Sequence, residues 1–124
     1  MRWIFVLCVL FCGACTPARI LKSFKTPEET FETWRQAAVR LDFETLIACY
    51  ASDARPSMRK DIEQTSTEGI QEMQREAKNT QFKIEKVVYQ KDRAFLRALR
   101  KRKNAEDIEV LTMIKEGQEW KLLP

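Results

Sequence analysis

The chain has 124 residues, 44 % of them hydrophobic and 32 % charged, with a net charge of +4. That size allows one small domain, and the balance of apolar and charged residues excludes a disordered chain. The mild positive excess does not imply nucleic acid and supports at most a weak attraction to anionic surfaces.

Met1-Arg2 is a minimal positive start, Trp3 to Phe11 a short apolar run, and Gly13-Ala14 a pair of small residues before Cys15. This is the pattern of an export signal over residues 1–14. The run falls short of the roughly 20 residues of a membrane-spanning helix. Gly13-Ala14-Cys15 after such a run resembles the lipobox of bacterial lipoproteins. The resemblance implies cleavage before Cys15 and acylation of that cysteine with diacylglycerol and an amide-linked chain. The position three before the cysteine, usually Leu, is Cys12, so ordinary secretory cleavage after Ala14 stays open as the alternative. Thr16 follows the cysteine where Asp would favour inner-membrane retention, so the resemblance implies an outer-membrane anchor facing the periplasm. Removing residues 1–14 takes Arg2 and leaves 21 Lys+Arg against 18 Asp+Glu, a net +3. Cys8 and Cys12 leave with the signal and Cys15 takes the lipid. Cys49 is then the only thiol left in the domain, read as a small buried residue rather than a reactive one.

Residues 15–25 read as a tether, with Arg19, Lys22 and Lys25 near the membrane and Ile20, Leu21 and Phe24 able to dock. The folded domain is expected over 26–124. Thr26-Pro27-Glu28-Glu29 predicts a capped helix start, and Phe31, Trp34, Ala38 and Leu41 recur at helical spacing. Asp42 ends that run and caps a second stripe of Phe43, Leu46, Ile47 and Tyr50. Pro56 disfavours helix just before it, so residues 57–65 are expected as a helical turn or irregular segment. Ser66 or Thr67 caps a third helix with Ile70, Met73 and Ala77 inward. Four strands follow, over 81–90, 93–102, 106–115 and 119–123, joined by tight turns. In the first, Phe82, Ile84 and Val88 share one face, and Val87 and Tyr89 the other. Val87, Phe95 and Leu111 are the apolar residues expected on an outer face.

The fold class is therefore α+β, three N-terminal helices on a curved antiparallel sheet of about four strands. The order of elements resembles the nuclear transport factor 2-like (cystatin-like) domain. The stretch Thr26-Pro27-Glu28-Glu29-Thr30-Phe31, then Trp34, Leu41-Asp42-Phe43-Glu44 and Leu46, resembles the opening helix pair of small bacterial lipoproteins with that domain. Ile114 to Leu122, with its Gly117 turn and Trp120-Lys121 pair, resembles their last hairpin. The resemblance implies a cone whose cavity opens at one end, and a sheet face through which such domains dimerise.

With no histidine the chain lacks the commonest base near neutral pH and the commonest metal ligand. No nucleophile elbow, phosphate loop or metal spacing is present, so no catalytic residue, metal or cofactor is assigned. Candidate cavity residues are Trp34, Tyr50, Asp53, Tyr89 and Trp120. A buried carboxylate with a phenol would carry isomerase-type chemistry, but packing and turn roles account for all five more simply. Arg97, Arg100, Lys101, Arg102 and Lys103 form a cationic hairpin tip. They read as an anion or partner contact, or more simply as a strand paired across to Glu106, Asp107 and Glu109. The expected function is a membrane-anchored envelope lipoprotein with a non-catalytic module that binds a small apolar ligand or an envelope protein. The alternatives are a small-molecule hydrolase or isomerase of the same fold, and a structural subunit of an envelope assembly. A homodimer through the sheet face fits the apolar strand residues, and no nucleic acid is expected as a partner.

Overall fold

The computed structural model describes residues 22–124, with the helices first in the chain and the sheet after them. The export signal and Cys15 lie outside the described residues. Helix α1 spans Pro27–Arg40, with the Thr26 hydroxyl accepting from the Glu29 N–H at 3.1 Å. It stops where Leu41 turns left-handed at φ 55°, a conformation that costs a non-glycine residue roughly 1–2 kcal/mol. The Asp42 N–H then bonds back to the Ala37 carbonyl at 3.0 Å. Asp42 in turn caps helix α2, Phe43–Ala48: its carboxylate accepts the Thr45 N–H at 3.2 Å and the Thr45 hydroxyl at 2.7 Å. Those bonds hold its carboxyl below the usual range, the hydroxyl bond most of all.

After a 3-10 turn at Ser52–Ala54, helix α3 runs over Arg55–Gln64. The expectation of three helices and an irregular 57–65 segment is corrected here. Pro56 falls in the first turn, where a missing N–H costs nothing. Arg55 is drawn into the helix because its Nε–H donates to the Tyr50 carbonyl at 3.0 Å. Helix α4, Thr67–Asn79, starts on Ser66, whose hydroxyl accepts from the Gly69 N–H at 3.1 Å.

Strands β1 (Gln81–Gln90), β2 (Arg93–Arg102), β3 (Ala105–Glu116) and β4 (Glu119–Leu122) form an antiparallel meander in sequence order. The architecture is α+β, with four helices preceding a four-stranded antiparallel sheet among the described residues. A bulge between Ile84 and Lys86 shifts the β1 register by one. A one-residue shift reverses side-chain parity. Phe82, Ile84, Val87 and Tyr89 therefore share the inner face and Val88 points outward. This reverses the expected assignment of Val87, Val88 and Tyr89.

The inner row of β2, Ala94, Leu96 and Ala98, is fully buried and meets Leu111, Met113 and Leu122 beneath Phe31 of α1. Leu111 thus joins Val87 on the core side, and of the three residues expected outside only Phe95 stays there. Strand β4 is the point of convergence. The Trp120 N–H bonds the Phe24 carbonyl at 2.7 Å and the Leu122 N–H bonds the Cys49 carbonyl at 2.7 Å. The buried Thr30 hydroxyl of α1 donates to the Trp120 carbonyl at 2.7 Å. Residues 22–25, the end of the expected tether, are therefore laid against the domain. Ser23 also bonds Thr33 and Glu29.

Candidate functional site

Helix α1 covers only part of the inner sheet face. Beyond Ala98 the same row of β2 continues as Arg100 and Arg102, opposite Asp107 and Ala105 of β3. A groove of about 240 Å³ opens there, between α1, α4 and the ends of β1 and β2. Its floor is Trp34 and Ala38 from α1, Phe82 from β1, and Met73 and Ala77 from α4. Helical spacing puts each set on one side of its helix. Phe31, Trp34 and Phe82 form an aromatic cluster with ring centroids 5.3–6.3 Å apart. Such tilted and edge-on contacts are favourable aromatic packing, with Phe31 supporting Trp34 and Phe82 of the floor.

The rim is basic. The Arg35 guanidinium sits over the Phe82 ring at 5.7 Å, and Arg100 and Arg102 close the sheet side. Arg100 is held by a fork to Asp107, 2.9 Å from Nε to Oδ1 and 2.6 Å from Nη2 to Oδ2. It also ion-pairs Glu109, whose Oε2 is shut off from solvent. The fork holds the Asp107 carboxyl below its ordinary value and raises Arg100 further. Arg102 approaches Asp107 only at 3.5 Å, so its guanidinium keeps donors for a ligand.

The five candidate cavity residues separate into three places. The Trp34 indole N–H donates to the Tyr50 hydroxyl at 3.1 Å beside the groove floor. Burial raises the Tyr50 phenol above its usual value, which keeps it protonated at neutral pH. Tyr89 packs edge-on against Trp120 with ring centroids 5.6 Å apart, at the other end of the inner face. Asp53 is exposed in the 3-10 turn. No carboxylate–phenol pair forms from Asp53 with Tyr50 or Tyr89. Among the described residues no cluster of His, Cys, Asp or Glu has the spacing of a metal site.

The cationic run divides by strand parity. Arg97 faces outward and pairs with Glu85 at 3.1 Å. Arg100 and Arg102 face inward, Lys101 stands outward opposite Glu106, and Lys103 lies in the turn. The cross-strand pairing expected of the run holds for Arg100 with Asp107. What the sequence did not reveal is that two of these cations line a groove. Met73 and Ala77 were legible only as members of a helical stripe, and nothing in the sequence singled out Arg35.

Two buried groups lie elsewhere. Cys49 is enclosed, and burial pushes its thiol up to about 12, so it is inert. Lys121 is 4 % exposed, with its Nζ donating to the Ala48 carbonyl at 2.8 Å, 3.5 Å from the centre of the Phe24 ring and 3.4 Å from Glu119. Burial lowers its ammonium below the usual lysine value.

No family model matches the chain, and no curated protein matches it. Among solved structures, it is similar to the solution structure of a SEC-C motif containing protein from Rhodopseudomonas palustris. The TM-score is 0.54 at 10 % identity, over 81 % of this chain and 77 % of that one. At that identity the likeness concerns the fold alone. It overturns the expected resemblance to nuclear transport factor 2-like lipoproteins. A capped helix pair and a Trp-bearing hairpin are solutions that any helix-then-meander chain can reach. They did not carry the family.

Proposed function

We propose that this chain is an envelope protein, anchored by acylated Cys15 to the outer membrane and facing the periplasm, whose domain is a non-catalytic binding module. The observation that carries the binding role is the groove. Its floor is aromatic, aliphatic and thioether, and its rim sets three guanidinium groups, which donate hydrogen bonds and cannot accept protons, beside Glu76 and Thr80. Such a site fits a small, mostly apolar ligand with an acceptor at one end. The absence of histidine from the whole sequence supports binding over acid–base turnover. The anchor rests on Gly13-Ala14-Cys15 after the apolar run.

Two experiments test the two halves. Cys15→Ala should release the protein from the membrane fraction or stop its processing; maturation and fractionation like wild type would refute the anchor. Ala77→Phe should fill the groove without disturbing the buried core. If the natively purified protein carries a small molecule, that variant should lose it. Retention of the same molecule would refute the groove as the site.

A further inference from the structure

We infer that the outer face of the sheet docks flat on an anionic phospholipid surface. Val88, Ile108 and Val110 project from it at 48 %, 41 % and 56 % exposure, with Phe95 and Leu99 half-buried between them. The pairing places Val88 beside Phe95 and Leu99 beside Ile108, with the Lys86–Arg97 row between them and Val110 of β3 at the end of that row, so apolar and cationic side chains share one face across three strands. Patches of this kind mark a contact surface.

Charge identifies the occupant. Lys83, Lys86, Arg93, Arg97 and Lys101 share that face. Arg97 is neutralised by Glu85, and Lys101 stands opposite Glu106. Lys83, Lys86 and Arg93 have no ion pair among the described residues. A second copy docked face to face would bring two such cationic strips onto one interface. Anionic headgroups would neutralise them while the valine, isoleucine and phenylalanine side chains meet the upper acyl region.

Geometry allows it. The chain joins the sheet at its β4 edge, where the Phe24 carbonyl meets the Trp120 N–H. Lys22 follows Cys15 by seven positions, a reach of about 25 Å when extended. Four strands span about 14 Å at the usual spacing of about 4.8 Å. A lipid on Cys15 can therefore hold the whole face against the bilayer; this step rests on the anchor reading above.

The test uses the processed chain, purified from membranes with its lipid, in vesicles of phosphatidylcholine with or without one part in three of phosphatidylglycerol. Val110→Cys is labelled with an environment-sensitive fluorophore in the processed chain, from which Cys8 and Cys12 have left, where acylated Cys15 has no free thiol and the enclosed Cys49 will not take up the label. Gln71→Cys, exposed on α4 away from both the groove and the sheet's outer face, is the control. The expected result is a blue shift and shielding from acrylamide at position 110 in the anionic vesicles only, with position 71 unchanged. Lys83→Gln and Lys86→Gln should each weaken the docked population by about fivefold. A chain that floats with both vesicles while position 110 stays quenchable overturns the face and leaves the anchor intact. A chain that floats with neither overturns both. Shielding that follows protein concentration and ignores lipid charge means a second copy covers the face, and overturns the proposal.

Discussion

Strand β4 depends on one hydroxyl of α1. Thr30 is fully buried, and its Oγ1–H donates to the Trp120 carbonyl at 2.7 Å. Thr30→Val keeps the shape and removes the donor, leaving a buried carbonyl one bond short. That should cost about 1–3 kcal/mol. Thr30→Ser keeps the donor and removes one methyl, which should cost about 1 kcal/mol through the small void left behind. For a domain of this size each kcal/mol moves the melting temperature by roughly 4–8 °C. Thermal and urea melts of both variants give the comparison. Valine should be the more damaging change, with the urea slope unaltered, since the unfolded surface is the same. A neutral Thr30→Val with a destabilised Thr30→Ser would show that methyl packing, and not the hydrogen bond, joins α1 to β4. The convergence of contacts on that strand would then be misread.

Other outcomes follow from the same geometry. Cys49 should resist thiol reagents in the native state and react only on unfolding, as its burial requires. Its folded pKa is raised to about 12, so its stabilising contribution is complete below the ordinary thiol value of about 9 and is lost as pH rises towards 12. The urea stability difference between wild type and Cys49→Ala should therefore narrow between pH 8 and about pH 10.5, by about 2 kcal/mol; a constant difference would contradict the buried thiol. Arg100→Met should destabilise the fold at pH 7 by freeing Asp107 and Glu109 of their partner. Because the Asp107 pKa is depressed in the folded state, that contribution is present above pH of about 3.8 and fades as pH falls through the lower folded value, so the two melts should converge in acid. Gly117 turns from β3 to β4 at φ 61° with open space around it, so Gly117→Ala should cost about 1 kcal/mol of backbone strain and show it in the same melts.

Much of the fold was legible because local chemistry and tertiary packing agree. Thr26, Asp42 and Ser66 cap the helices they were expected to cap, and the strand limits fall within a residue or so of the alternating runs. The failures have physical causes. Pro56 was read as a breaker, although a proline in the first turn is compatible with α3. The β1 bulge left no mark that a period-two pattern could register, so Val87 and Val88 exchanged faces. Lys121 looked like half of a turn-flanking pair, and its burial depends on Phe24 and Ala48, far away in the chain. The groove was the least legible part. Its cations come from a run that looks uniform until strand parity sends Arg100 and Arg102 inward and Arg97 and Lys101 outward. The nuclear transport factor 2-like resemblance failed for a related reason, since its motifs describe how elements start and turn, and these features are shared widely among folds.

The groove is the centre of the functional account, and native mass spectrometry of the mature protein tests it most directly. An occupied groove gives a discrete extra mass that disappears on denaturation, belongs to a small apolar molecule with an acceptor group, and is missing from Ala77→Phe. A clean unliganded mass from native membranes, or an adduct that Ala77→Phe keeps, would contradict the account.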